Sequence, residues 1–223
     1  MFTQIYSIQT PEEALACIDA GADRIGVLVG RPGGKFPCAV SEETCQDIYR
    51  AIGDKAVKVL ISVKSDPEEI IAETKRLCPD VLHLCAEYDG NAEFKKELNE
   101  KVPGVKLMEA VGVEDHSAVD EAVKKAQFAD ILILDSVSRY VPGVGAAGVT
   151  HDWSIDKEIV EKVNIPVIVA GGLGPDNVEK VIEEVHPAGV DSLTKTSIRE
   201  NGVIIRKDID KVRDFCTKAK KYN

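Results

Sequence analysis

The sequence predicts an α/β fold, a single (β/α)8 TIM barrel spanning residues 1–223, and three observations carry that expectation. Short runs rich in Val and Ile alternate with longer amphipathic stretches from end to end, eight of each. The runs are apolar on both alternating faces, as parallel strands covered on both sides must be. The length of 223 residues is close to the ~250 of a typical barrel of this kind.

Taken in order, the strands are expected at residues 3–7, 24–29, 57–63, 81–85, 105–111, 131–135, 166–170 and 189–193. The first helix opens on Thr10-Pro11-Glu12-Glu13, which supplies a capping hydroxyl, a proline suited to the first helical position and a reciprocal Glu. Asp66-Pro67-Glu68-Glu69 repeats the device before the third helix. Gly21 is placed to end the first helix, because a glycine takes the left-handed conformation without a Cβ penalty. Strands joined by helical crossovers run parallel, and eight such units suggest closure into a barrel. The competing arrangement is an open doubly wound sheet. Its dinucleotide-binding form is weakened because no GxGxxG follows the first strand. No linker or break in composition divides the chain.

A net charge of -10 repels a nucleic-acid backbone over most of the surface, so nucleic acid is not expected as a partner. The longest apolar runs, such as residues 131–134, fall far short of the ~20 residues of a membrane helix, so no membrane is expected either. Six cysteines are scattered without a CxxC pair, and the chain starts without a charged-then-apolar leader, which fits reduced thiols and a cytoplasmic location.

Chemistry in such a barrel sits where the strands end. Two long glycine-rich loops lie there, residues 30–39 and 136–151, of the length used for lids or binding loops. The clearest signal is residues 167–173, a buried strand ending in Ala170-Gly171-Gly172-Leu173 and followed by a helix start at Gly174-Pro175-Asp176-Asn177. Gly171 and Gly172 let backbone N–H groups approach a phosphate; the bland alternative is a tight turn that needs small residues. After the eighth strand, Thr194-Lys195-Thr196-Ser197 offers hydroxyls and a cation, or simply a solvated loop. Asp135 follows four apolar residues to the rim, where a carboxyl can act as general acid or base, or cap the loop. His83, Cys85 and Glu87 alternate at period two, and with Glu109 on the next strand they invite a metal reading. One strand rarely supplies a full ligand set, so no metal and no cofactor is expected. Lys195 as a Schiff-base lysine has no sequence feature in its favour. His116 and His186 fall on helix edges, where solvated or capping roles suffice.

These residues resemble the phosphoribosylanthranilate isomerase family nearly end to end. Residues 10–14 and 21–23 are similar to its first helix, and Leu134-Asp135-Ser136 to its LLDS strand end. Gly145-Ala146-Ala147-Gly148-Val149-Thr150-His151-Asp152-Trp153 falls in register with its GGTGxxFDW. Ala170-Gly171-Gly172-Leu173, Pro175-Asp176-Asn177-Val178 and Gly189-Val190-Asp191 follow its AGGLxPxNV and GVD. The resemblance implies a barrel that carries out an Amadori aldose-to-ketose rearrangement of a small phosphorylated substrate. Asp135 would be the general acid, and Gly171, Gly172 and the loop after strand eight would hold the phosphate. It also exposes departures. The family's KICG, whose Cys is the general base, reads Gln4-Ile5-Tyr6-Ser7, with Tyr6 in the cysteine's place. A phenol, with its reference pKa of ~10, is a poor base. The family's SGVE and QLHG read Lys195-Thr196-Ser197 and His83-Leu84-Cys85-Ala86, and Cys38 and Ala39 rather than an arginine directly precede Val40-Ser41. Glu109, Cys85 and His83 are the candidate replacement bases, all expected to face one mouth. The readings to separate are a metal-independent phosphosugar isomerase, a metal-dependent phosphosugar epimerase or isomerase, and a non-catalytic phosphosugar-binding relative.

Overall fold

A computed structural model describes residues 1–34, 36, 38–85, 88–136, 150–201 and 203–222. In chain order its elements are β1 (Phe2–Ile5), α1 (Pro11–Asp19), β2 (Arg24–Val29), α2 (Glu42–Ile52), β3 (Val57–Ser62), α3 (Pro67–Leu77), β4 (Val81–Leu84) and α4 (Ala92–Lys101). They continue with β5 (Lys106–Val113), α5 (Ser117–Lys125), β6 (Ile131–Ser136), α6 (Trp153–Lys162), β7 (Val167–Val169), α7 (Val178–Val185), β8 (Gly189–Ser192), β9 (Ser197–Glu200), β10 (Val203–Lys207) and α8 (Ile209–Lys220). Strands β1 to β8 pair in parallel, each with the next, and β1 pairs with β8 to close the barrel. The expected (β/α)8 architecture is the observed one.

The caps explain where the helices begin. Thr10 accepts the Glu13 N–H, and Glu13 Oε2 accepts the Gln9 N–H at 2.8 Å. Asp66 accepts the Glu69 N–H at 3.0 Å. Gly21 lies at φ 110°, and a Cβ there would sit 3.1 Å from Cys216 Cβ, so close packing of α8 requires the glycine as much as the turn does.

Alternation along the strands separates two cores. Val59, Ile61, Val81, Met108, Ala110, Ile131, Ile133 and Ile168 point inward and fill the barrel. Ile5, Ile25, Val27, Leu60, Leu82, Leu107 and Val190 point outward against the helices. Strand limits differ from expectation where the backbone turns. β1 stops at Ile5 because Ser7 adopts φ 59°, and β7 stops at Val169 because Gly171 and Gly172 follow at φ 79° and 64°. The segment after β8 is not only a loop: β9 and β10 form an antiparallel hairpin outside the barrel. Glu13 Oε1 accepts the Lys207 N–H at 2.6 Å and ties that hairpin to α1.

Candidate active site

At the carboxyl ends of the strands the inward set turns polar. Tyr6, just after β1, reaches across to His83 on β4, with its hydroxyl 2.7 Å from His83 Nδ1. Burial, and secondarily the Lys125 charge, pushes His83 down to about 3. The imidazole is therefore neutral at neutral pH, and Nδ1 accepts the phenolic hydrogen. Burial, then the charges of Asp191 and Cys85, hold the Tyr6 phenol well above its usual range. Gly26 on β2 makes room for this ring, because a Cβ there would lie 2.2 Å from a Tyr6 ring carbon. Cys85 is half-buried beside them, and burial followed by the Asp135 and Asp191 charges pushes its thiol up to about 12.

Two carboxyls share this mouth. Asp135 on β6 is half-buried, and burial raises it to about 7 against the opposing pull of the Ser136 N–H, which donates to Oδ1 at 2.7 Å. Asp191 on β8 is buried and accepts from Gln4 Nε2 at 3.2 Å. Burial, and then the Asp135 charge, holds Asp191 well above the carboxylate range.

Glu109 is a correction. Its strand neighbours Met108 and Ala110 point into the barrel, so Glu109 points out, toward the helices. There Oε1 accepts the Gly90 N–H at 3.0 Å, and Oε2 lies 3.9 Å from Lys125 Nζ. Burial raises it to about 7, but the carboxyl faces the wrong side to serve the mouth. This separation also removes Glu109 from any ligand set with His83 and Cys85. Glu87 lies outside the described residues, and among those described no three His, Cys, Asp or Glu gather into a metal cluster.

The loop after β7 is stapled by Asn177, whose Oδ1 accepts the Gly174 N–H at 2.8 Å and whose Nδ2 donates to Gly172 O at 3.1 Å. Gly171 serves packing as well as backbone freedom, since a Cβ there would lie 2.5 Å from Ser136 Oγ. Gly174 makes room for Lys195, whose Cβ would be 2.6 Å from an added one. Lys195 is exposed and Thr194 half-buried beside this loop. Thr196 is fully buried, and its hydroxyl is engaged with Ser192 Oγ at 3.1 Å and Leu193 O at 3.3 Å. That hydroxyl serves the loop itself, contrary to the expectation that it faces a ligand.

Sequence reasoning also missed groups. Asp191 was part of a quoted motif but had no role, although its place at the end of a strand is the same signal that singled out Asp135. Lys207 is 1% exposed, donating to Ser197 Oγ at 3.0 Å and Leu193 O at 3.4 Å, and burial lowers its pKa. A lysine in a short apolar strand gives no advance sign of burial.

Comparison with known proteins places this geometry. The family model described as "N-(5'phosphoribosyl)anthranilate (PRA) isomerase" matches residues 4–218. The chain belongs to the phosphoribosylanthranilate isomerase family. Relatives named N-(5'-phosphoribosyl)anthranilate isomerase are 31% identical in Methanocella arvoryzae, over 95% of this chain and 94% of that one, and 32% identical in Aquifex aeolicus, over 97% of each. The crystal structure of phosphoribosyl anthranilate isomerase from Thermotoga maritima superposes with a TM-score of 0.81 at 25% identity, covering 99% of each chain. By this membership the chain is an isomerase of the aldose–ketose type.

Within the phosphoribosylanthranilate isomerase family pattern, Tyr6 and Ser7 stand where KICG has its Cys and Gly. Ser7 keeps the left-handed backbone (φ 59°) that a glycine adopts freely, so the turn survives the substitution while the thiol does not. Of the GGTGxxFDW register, residues 145–149 lie outside the described residues. His151 is described, half-buried at the position of the motif's Phe. No described helix is long and apolar enough to cross a membrane.

Proposed function

We propose that this chain isomerises a phosphorylated aldose derivative to the ketose, with Asp135 as general acid and with the loops after β7 and β8 holding the phosphate. The observation that carries the reading is Asp135, a mouth-facing carboxyl raised to about 7 by burial. Such a group still holds a proton near neutral pH and can deliver it. Asp135 gives its proton to the ring oxygen as the lone pair of the heteroatom on C1 forms a double bond to C1 and the C1–O bond breaks; a base takes the hydrogen from C2 to give an enol, and C1 then gains a proton as the C2 hydroxyl loses its own, leaving a ketone at C2.

Tyr6, His83 and Cys85 line the path of the substrate but are poor bases as they stand. The phenol is committed to His83 Nδ1, the imidazole is held near 3, and the thiol near 12. Asp191 is the remaining carboxyl on the β1 side of the mouth. Burial raises it first and the Asp135 charge second, and the second contribution vanishes once Asp135 carries its proton, which leaves Asp191 as the carboxyl placed to take the C2 hydrogen. His83 Nε2 and Gln4 Oε1 are buried without a hydrogen-bond partner among the described residues, which supports a polar ligand there. Gly171 and Gly172 with Lys195 and Thr194 supply backbone donors and a cation at the anionic end.

The test is turnover of phosphoribosylanthranilate and of a panel of pentose and hexose phosphates by wild type, Asp135→Asn and Asp191→Asn. Product formation that falls about 10²- to 10⁴-fold in each variant supports the assignment. No turnover on any compound, with Asp135→Asn indistinguishable from wild type, overturns it. Thermal stabilisation by phosphosugars without product would instead mark a binding protein, a reading whose one support is the missing cysteine base.

A further inference from the structure

Behind the acid, on the outer face of β6, lies a connected set of side chains that the proposed reaction leaves unused. Ser136 follows Asp135 and points the opposite way, and its Oγ lies 3.0 Å from His151 Nδ1. His151 Nε2 lies 2.8 Å from both carboxylate oxygens of Asp156, which sits in the first turn of α6 with no exposed surface. The space that a side chain at position 171 would need is filled by this set: an added Cβ would be 2.5 Å from Ser136 Oγ and 3.1 Å from His151 Nδ1. The set therefore touches the acid on one side and the phosphate loop on the other.

We propose that Ser136, His151 and Asp156 are positioning residues for Asp135, a hydrogen-bonded relay that fixes the Ser136 peptide N–H on the acid and couples the acid to the loop at Gly171. The inference rests on the reading of Asp135 as the acid. A fully buried carboxylate is costly unless it is paired and hydrogen-bonded, and Asp156 finds that pairing in His151. With Asp156 closing on Nε2, that nitrogen donates to the carboxylate and Nδ1 faces the Ser136 hydroxyl. A serine pinned through its side chain holds its own backbone, and that backbone supplies the N–H at 2.7 Å from Asp135 Oδ1. The family motif has Phe at the place of His151. A phenyl ring cannot bridge a hydroxyl and a carboxylate, so the relay belongs to this chain.

Charges face both ends. Asp191 from β8, Cys85 after β4 and Tyr6 after β1 face Asp135, while the His151 charge lowers its pKa and the Asp156 charge raises it. Around His151, the groove it lines also carries Asp152, Lys157, Lys180, Glu183 and Glu184.

The experiment titrates the 13C-labelled Asp135 side-chain carboxyl by NMR in the whole protein without substrate, so it can fail separately from the proposed function. His151→Phe removes the bridge and with it the hold on the Ser136 N–H that favours the ionised acid. The expected result is an upward move of the Asp135 midpoint by about one pH unit, a tenfold gain in proton affinity. His151→Gln, an amide that can still reach both partners, returns the midpoint most of the way. In the turnover assay His151→Phe lowers kcat about tenfold with KM nearly unchanged, and His151→Gln restores it. Should His151→Phe fail to fold around an orphaned Asp156, the double variant His151→Phe/Asp156→Leu is titrated with His151→Gln/Asp156→Leu as its reference in place of wild type, so that the lost carboxylate is common to both. A midpoint within about 0.2 unit of wild type, or of that reference, in the folded variant overturns the proposal.

Discussion

The Tyr6 phenol and the His83 imidazole have each other as partners in a place where water is scarce, and neither is charged at neutral pH. Tyr6→Phe keeps the ring against Gly26 and removes only the donor, leaving both nitrogens of a buried His83 unpaired, since Nε2 already lacks a partner among the described residues. The expected loss is about 1–3 kcal/mol in urea denaturation, the cost of an orphaned buried polar group. That Tyr6 replaces the family's thiol is legible in the sequence. That it is tethered to His83, 77 positions away, is not, because nothing local to either residue encodes the other. Glu109 was misread for a related reason. Period two says that alternate residues share a face, but a parallel strand is apolar on both faces and leaves no sign of which one is the interior. Only the neighbours Met108 and Ala110, once seen inside the barrel, put Glu109 outside.

Among the elements, the capped helices were legible because each cap is a local bargain between a side chain and an N–H three residues on, as at Thr10 and Asp66. The β9–β10 hairpin was not, although Asn201-Gly202 between Ser197–Glu200 and Val203–Lys207 is a hairpin-turn pair. The hairpin stands outside the barrel and interrupts none of its eight strands, so the alternation that marks the barrel carries no trace of it. Lys207 fixes this hairpin from below, and its role can be split into volume and charge. Lys207→Met preserves the packing and removes a buried cation, while Ser197 Oγ still donates to Leu193 O at 2.6 Å. Desolvation of the lost charge outweighs two bonds to neutral partners, so the melting temperature should hold or rise. Lys207→Ala leaves a cavity in addition and is expected to cost about 2–3 kcal/mol. A fall of equal size in both variants would show that the ammonium itself holds the hairpin.

For the molecule as a whole, closure of the barrel follows from repetition: eight strands that must bury both faces have few other ways to do so. Its electrostatics follow from where carboxyls end up. Asp135 and Glu109 are raised to about 7, and Asp191 is raised well above the usual carboxylate range, all chiefly by burial. A carboxyl with a raised folded pKa binds protons more tightly in the native state than in the unfolded chain. Its contribution to stability is full below the unfolded value and is lost as pH rises through the folded one. His83 acts oppositely, since its value falls from 6.5 to about 3 and its contribution is present above 6.5 and lost on acidification through about 3. The total slope mixes these signs, but a difference measurement isolates one group. Glu109→Gln keeps an oxygen for the Gly90 N–H and replaces the oxygen that has no hydrogen-bond partner among the described residues. Relative to wild type it should be neutral near pH 4, gain stability steadily from about 4.5 to 7, and level off above, on the order of 2–3 kcal/mol. Because the carboxyl faces the helices, the same variant should turn over substrate within about twofold of wild type, a size of effect typical of residues outside the reacting site. Urea midpoints from pH 4 to 8 check the first expectation. A flat difference across that range would mean that Glu109 is ionised and solvated as freely in the folded protein as in the unfolded chain.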